Sequence, residues 1–261
     1  AGACYKDWLG SRWWCLALAE DRELPQVKYR RVPLKRHLVI APHPDDETLG
    51  CGGTLLRARA EGDEIYWLIV TGINESQGFA REQVESRAAE IHDVSQSYGF
   101  TRTIKLDLPT ASLDTVPKKE LVKAIGQAAD RIKPTDIYLP HRRDAHSDHV
   151  AVFDSAVSAA KWFRYGSVER VFVYETQSET DFDLSPDSLG FRPNVFVDIS
   201  ETLDRKIEIA AIYKTEFAEH PFPRSFEGMR ALATFRGAAS GFKAAEAFML
   251  LRQRIGKDIT K

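Results

Sequence analysis

The chain has 261 residues, 43% hydrophobic and 28% charged, with a formal net charge of −2. That length buries a full core and, in an open α/β sheet, usually makes one domain. The near-neutral balance excludes a strong electrostatic pull toward nucleic acid or anionic lipid.

Three cysteines, Cys4, Cys15 and Cys51, form no CxxC pattern. A low, odd count argues against a disulfide scaffold and points to a reducing, cytoplasmic setting. Cys51 reads as a small buried thiol filling a gap. No apolar run reaches the roughly 18–20 residues of a membrane span.

Residues 1–36 are read as a Trp-rich extension. Trp8, Trp13, Trp14 and Leu16 are interrupted by Lys6, Asp7, Arg12 and Glu20, so this is no signal peptide. A helix docking its aromatic face is expected there, ahead of a membrane-surface contact.

From residue 37 to 261 a single domain is expected. Strand runs fall at 37–42, 64–71, 103–108, 136–140, 170–176 and 194–199, with helices at 49–61, 80–98, 117–132 and 147–163 between them. Continuous apolar strands alternating with long amphipathic helices indicate parallel β-α-β units. The expected fold is a Rossmann-like, mostly parallel open sheet with helices on both faces.

Thr48 is placed to cap the first helix and Pro117 to start the third. In 80–98, Ala80, Val84, Ala88, Ile91, Val94 and Tyr98 recur at three- and four-residue steps, as one buried face requires. Residues 177–193 read as a surface loop, followed by helices at about 201–217 and 226–236 and a last strand at 245–251.

Two clusters carry chemistry. The first strand runs into His43-Pro-Asp45-Asp46-Glu47, and the 136–140 strand runs into His141-Arg-Arg-Asp144-Ala-His146-Ser-Asp148-His149. Ligands of open parallel sheets bind beyond the carboxyl ends of the strands. If these strands are neighbours at the switch point, the clusters converge. A hydrolytic zinc commonly takes three His, Asp or Glu ligands and leaves a position for water. His43 and one aspartate can supply two and a histidine of the second cluster the third, while the other aspartate suits a general base.

Ala41-Pro-His-Pro-Asp-Asp-Glu47 together with His146-Ser-Asp-His149 resembles the PIG-L/LmbE family of zinc-dependent sugar de-N-acetylases. The similarity spans most of 37–250, with Arg87-Ala-Ala-Glu90 and Ala245-Glu-Ala-Phe248 as weaker marks. The resemblance implies His43, Asp46 and His149 as ligands of Zn2+ or another divalent metal, and Asp45 as the base that deprotonates the zinc-bound water. It implies His146, as imidazolium, as oxyanion stabiliser and proton donor to the leaving amine, with Asp148 orienting it.

Arg87 is a substrate-binding candidate. So is Arg224, in the lid-like segment Arg224-Ser-Phe-Glu227. Glu47 is expected at the helix start rather than on the metal. Asp144 is weighed evenly between supporting the site and capping the helix at 146. His141 reads as a structural partner, Arg142 and Arg143 as solvated surface, and His92 as ordinary. Gly50, Gly52 and Gly53 lack the GxGxxG spacing and are expected to serve close helix–sheet packing.

The expected substrate is a small-molecule N-acetylated sugar conjugate. Nucleic acid and an integral membrane segment are excluded as partners, and a homo-oligomer is left open. The competing readings are an amidase of another amide such as a thiol conjugate, a non-catalytic carbohydrate-binding module, and a nucleotide-binding domain.

Overall fold

The computed structural model describes residues 34–184 and 190–256, together with two short N-terminal strands, β1 (Cys4–Lys6) and β2 (Trp13–Cys15). The chain divides into two compact units, Ala1–Pro33 and Leu34–Lys261. In the first, β1 and β2 pair antiparallel in the register Cys4 to Cys15. Trp13 and Trp14 therefore lie in a strand and not in the expected helix, in keeping with the preference of aromatic residues for extended backbone. Trp8 and Leu16 lie outside the described residues.

The second unit is built on seven strands: β3 (Arg36–Ala41), β4 (Glu64–Gly72), β5 (Arg102–Pro109), β6 (Asp136–Pro140), β7 (Arg170–Tyr174), β8 (Val195–Asp198) and β9 (Ala245–Gln253). Their order is β5-β4-β3-β6-β7-β9-β8. The first five in that order are parallel, and β9 runs antiparallel to both β7 and β8. Among the described residues six helices connect them: α1 (Asp46–Ala60), α2 (Arg81–Tyr98), α3 (Lys118–Ile132), α4 (Ser147–Ala156), α5 (Leu203–Ala210) and α6 (Phe226–Ala238).

Alternation along β3 sorts the core into two layers, as period-2 side chains must. Leu38 and Ile40 pack with Leu121 and Ile125 of α3 and Val152 of α4. Val39 and Ala41 face Cys51 and Leu55 of α1 and Ile91 and Val94 of α2. β6 is buried at all five positions, which requires cover on both faces and explains the apolar run Ile137–Pro140. Among the described residues no helix is long and apolar enough to cross a membrane.

Helix α1 lies close against the sheet because glycines face it. A Cβ on Gly53 would stand 2.6 Å from Ile199, and one on Gly50 would collide with the Tyr174 ring. Cys51 is fully buried between them, as expected of a space-filling thiol. Glu246 of β9 accepts the backbone N–H groups of Gly53 (2.8 Å) and Thr54 (2.7 Å). Lys206 of α5 donates to Leu49 O (2.9 Å) and to Glu246 (2.8 Å). The Ala245-Glu-Ala-Phe248 mark thus anchors the helix that carries the first cluster. Lys206 is 6% exposed, so its removal strands a buried carboxylate. Lys206→Met is expected to lower unfolding free energy by about 3 kcal/mol in a denaturant titration.

Three boundaries differ from expectation. Helix α1 starts at Asp46, so Thr48 lies inside it and Asp45 takes the cap position. The helix expected over 147–163 ends at Ala156 and continues as a 3-10 turn over Val157–Ala160, where Ser158 donates its hydroxyl to Ser155 O and competes with the ladder. The helix expected over 201–217 is limited to α5. Beyond it Tyr213 is drawn inward to donate to Glu47 (2.7 Å).

Candidate active site

β3 and β6 are neighbours in the sheet, paired in parallel from His37–Asp136 to Val39–Tyr138. The strand order reverses about this pair, so both clusters emerge side by side at the carboxyl ends. After β3, the turn through Pro42, His43 and Pro44 enters α1 by way of Asp45. Asp45 holds φ 127° and ψ −30°, a backbone conformation that a side chain rarely tolerates. The Asp45 N–H donates to Glu47 (3.0 Å), itself bound by Thr48 and Tyr213. Burial pushes the Glu47 carboxyl up to about 7. Glu47 stands outside the ligand group and braces the turn.

His43, Asp46 and His149 form a group whose ligand atoms all lie within 4.8 Å of one another. Asp46 Oδ2 accepts the His43 backbone N–H (2.8 Å) and sits 3.5 Å from His43 Nδ1 and 3.3 Å from His149 Nε2. Asp46 and His149 are fully buried. His149 Nε2 and Asp46 Oδ1 have no hydrogen-bond partner, a costly arrangement that a cation between them would resolve. Asp144 accepts from His149 Nδ1 (2.8 Å) and from Thr180 (2.6 Å), which turns the opposite ring nitrogen toward Asp46. A carboxylate behind a ligand histidine is the usual support of a metal ligand. The donor set fits a zinc-type ion.

Asp144 therefore supports the site and does not cap α4; His146 occupies that cap and accepts the Asp148 N–H (3.1 Å). Asp148 holds His146 through its backbone, whereas its carboxylate accepts from Ala111 N (2.7 Å) and Leu113 N (3.0 Å) and meets His43 Nε2 (3.1 Å). A second possible ligand group, His43, His146 and Asp148, shares His43 with the first. Its carboxylate is already occupied by two amides, which favours the first.

The charges at the site are strongly coupled. Burial disfavours a charged His43, yet Asp148 and Asp46 overcome it and raise the pKa to about 9. Burial is likewise outweighed at His149, where Asp46 and Asp144 raise the pKa to about 10. Burial and then the neighbouring His43 lower His146 to about 4. Without a bound ion, and with His43 charged beside it, the His146 ring is neutral near pH 7. Because Nδ1 accepts a backbone N–H, its proton sits on Nε2. Burial and Asp46 raise the Asp45 carboxyl well above the usual range, with Arg224 opposing them.

A ligand ion must displace the protons on His43 and His149. Metal affinity is therefore expected to rise with pH up to about 9 to 10, with proton release on binding. Calorimetry in buffers of different ionisation enthalpy measures this; uptake without proton release contradicts it.

Arg224 donates to Asp45 Oδ2 (2.7 Å), Ser178 (2.7 Å) and Glu179 (3.2 Å). Arg87 donates to Glu216 and lies 3.5 Å from Glu90. Glu216 also faces Arg224 at 3.5 Å. Both arginines line the cleft of about 650 Å³ that contains His43, Asp45 and His146. Arg142 and Arg143 pair instead with Asp154 and Asp183, away from the cleft. His141 lies 3.7 Å from Asp144, and His92 is exposed.

Glu216, Glu179, Ser178 and Tyr213 escaped the sequence reading. The one signal for the two glutamates is that two arginines bound for a cleft need acidic partners.

The model of the PIG-L family, GlcNAc-PI de-N-acetylase, matches residues 38–160. Over 227 residues the chain is 26% identical to diacetylchitobiose deacetylase of Thermococcus kodakarensis, covering 82% of each chain. It is 30% identical over 186 residues to YaiS of Escherichia coli, named an uncharacterised deacetylase, covering 68% of this chain and 88% of YaiS. The fold matches the conserved protein TT1542 of Thermus thermophilus with a TM-score of 0.68 and 29% identity, over 87% of this chain and 100% of that one. With paired motifs at adjacent strand ends and these likenesses, the chain belongs to the PIG-L family of de-N-acetylases.

Proposed function

We propose that this chain hydrolyses the acetamide of an N-acetylglucosamine-type conjugate to a free amine and acetate, with a zinc ion held by His43, Asp46 and His149. The observation that carries the reading is the buried ligand group flanked on one cleft by Asp45 and His146. When bound, such an ion polarises the amide carbonyl and makes water acidic enough to lose a proton near neutral pH.

The protein's own groups supply the rest. Asp45 Oδ1 has no partner while Oδ2 is held by Arg224, so one carboxylate oxygen is fixed and the other is free to take a proton from water. His146 donates its Nε2–H to the developing oxyanion, as a preorganised donor does. The proton taken from water returns to the leaving nitrogen, with Asp45 and His146 both on the cleft that receives it. Arg87 and Arg224 bind polar groups of the substrate at the cleft wall. The strained backbone of Asp45 marks this turn as functional, since strain of this kind collects at active sites and ligand clamps.

The experiment is acetate release from a panel of N-acetylglucosamine conjugates, with zinc and with chelator. Release that chelator stops supports the reading. A protein that binds zinc stoichiometrically yet releases no acetate from any sugar overturns it.

A further inference from the structure

Helix α2 carries an apolar stripe that is only half used by the core. Ile91, Val94 and Tyr98 are buried, but no residue of the first two and a half turns, 81–89, is buried. Val84 and Ala88 continue the stripe and face the active-site cleft. Ile73 and Phe79, on the chain between β4 and α2, line the same cleft. The five residues Ile73, Phe79, Val84, Ala88 and Ile91 give it an apolar wall that is continuous with the space beside Asp45 and His146.

Several of the polar groups nearby are engaged with one another, while Glu82, Ser86 and Thr110 also line the cleft. Arg87 is bound by Glu216, Lys105 lies 3.3 Å from Asp107, and Gln83 accepts the Ala80 N–H (2.9 Å). Along the Ile73, Phe79, Val84 and Ala88 wall itself there is no side-chain hydrogen-bonding group, so a hydrocarbon occupant removes carbon surface from water on both partners there. The cleft's volume of about 650 Å³ lies in the range of pockets that take drug-sized ligands, more than an acetamido sugar alone requires.

We infer that the α2 side of the cleft is the aglycone site, and that the aglycone it takes is apolar, an alkyl or aryl group on the anomeric oxygen of the acetamido sugar. This rests on the de-N-acetylase reading for the sugar end, and on α2 alone for the aglycone end. Val84 and Ala88 are placed as specificity-determining residues that contact the aglycone and take no part in proton transfer.

The test is kinetics on methyl, butyl and octyl N-acetylglucosaminides, with an N-acetylated disaccharide as the polar comparison. The value of kcat/KM is expected to rise about two- to fourfold per methylene, carried mainly by KM. Val84→Asp is expected to collapse the octyl-to-methyl ratio toward one, and Val84→Leu to keep it, with thermal melts confirming that both fold. A flat series with turnover of the methyl glycoside, or preference for the disaccharide over octyl, overturns the aglycone inference and leaves the deacetylase reading standing. Absence of acetate from every member defeats the deacetylase reading. Calorimetric binding of the octyl and methyl glycosides then decides the aglycone question separately: tighter octyl binding, lost in Val84→Asp, supports it, and equal affinity overturns it.

Discussion

Asp45→Ala is expected to lower kcat by about two to four orders of magnitude while zinc content stays at the wild-type level. Asp45 is not among the three residues whose ligand atoms gather within 4.8 Å, so the metal-holding group survives the change. What disappears is the carboxylate whose Oδ1 has no partner and whose Oδ2 is clamped by Arg224. Arg224 keeps Ser178 and Glu179, which makes collapse of the cleft wall an unsuitable explanation for lost turnover. Elemental analysis together with acetate release decides the matter. Turnover close to wild type removes Asp45 as the base, and loss of zinc moves it into the ligand group.

His149→Ala is expected to abolish tight metal binding and, with it, activity. The ring is fully buried, and its Nε2 stands 3.3 Å from Asp46 Oδ2. Its loss also leaves Asp144 buried with only the Thr180 hydroxyl and a distant His141, so stability falls as well. Asp144→Asn separates the two effects because it keeps the volume. It should weaken metal affinity about 10- to 100-fold while the protein stays folded. Unchanged zinc affinity in both variants refutes His149 as a ligand.

Much of this architecture was legible in the chain because the deciding interactions are local. The apolar runs at 37–42 and 136–140 are continuous because both faces of β3 and β6 are covered, and a histidine-carboxylate cluster follows each. Adjacency of the two strands was an inference from where such clusters must meet, and the parallel pairing of β3 with β6 bears it out.

The features that were missed depend on distance in sequence. Arg224 reaches Asp45 across 179 residues and Arg87 reaches Glu216 across 129, and no periodicity encodes either. Capping rules favour Thr48 for the start of α1, whereas the braced turn at Asp45 starts the helix three residues earlier. The apolar stripe of α2 was read as wholly core. A helical period reports that a face is apolar and does not report whether protein or ligand will cover it.

The backbone at Asp45 has a bearing on how this protein evolves. Its positive φ costs on the order of 1–3 kcal/mol for a residue with a side chain and far less for glycine. Its carboxyl is also raised above the usual range by burial and by Asp46. Unfolding therefore releases its proton at lower pH than the fold does, and the ionised group opposes folding increasingly as pH rises. Selection for durability alone would drift this position toward glycine and discard the base. A laboratory lineage enriched for heat resistance without a turnover screen would be expected to lose its chemistry at Asp45 early, and to look improved while doing so.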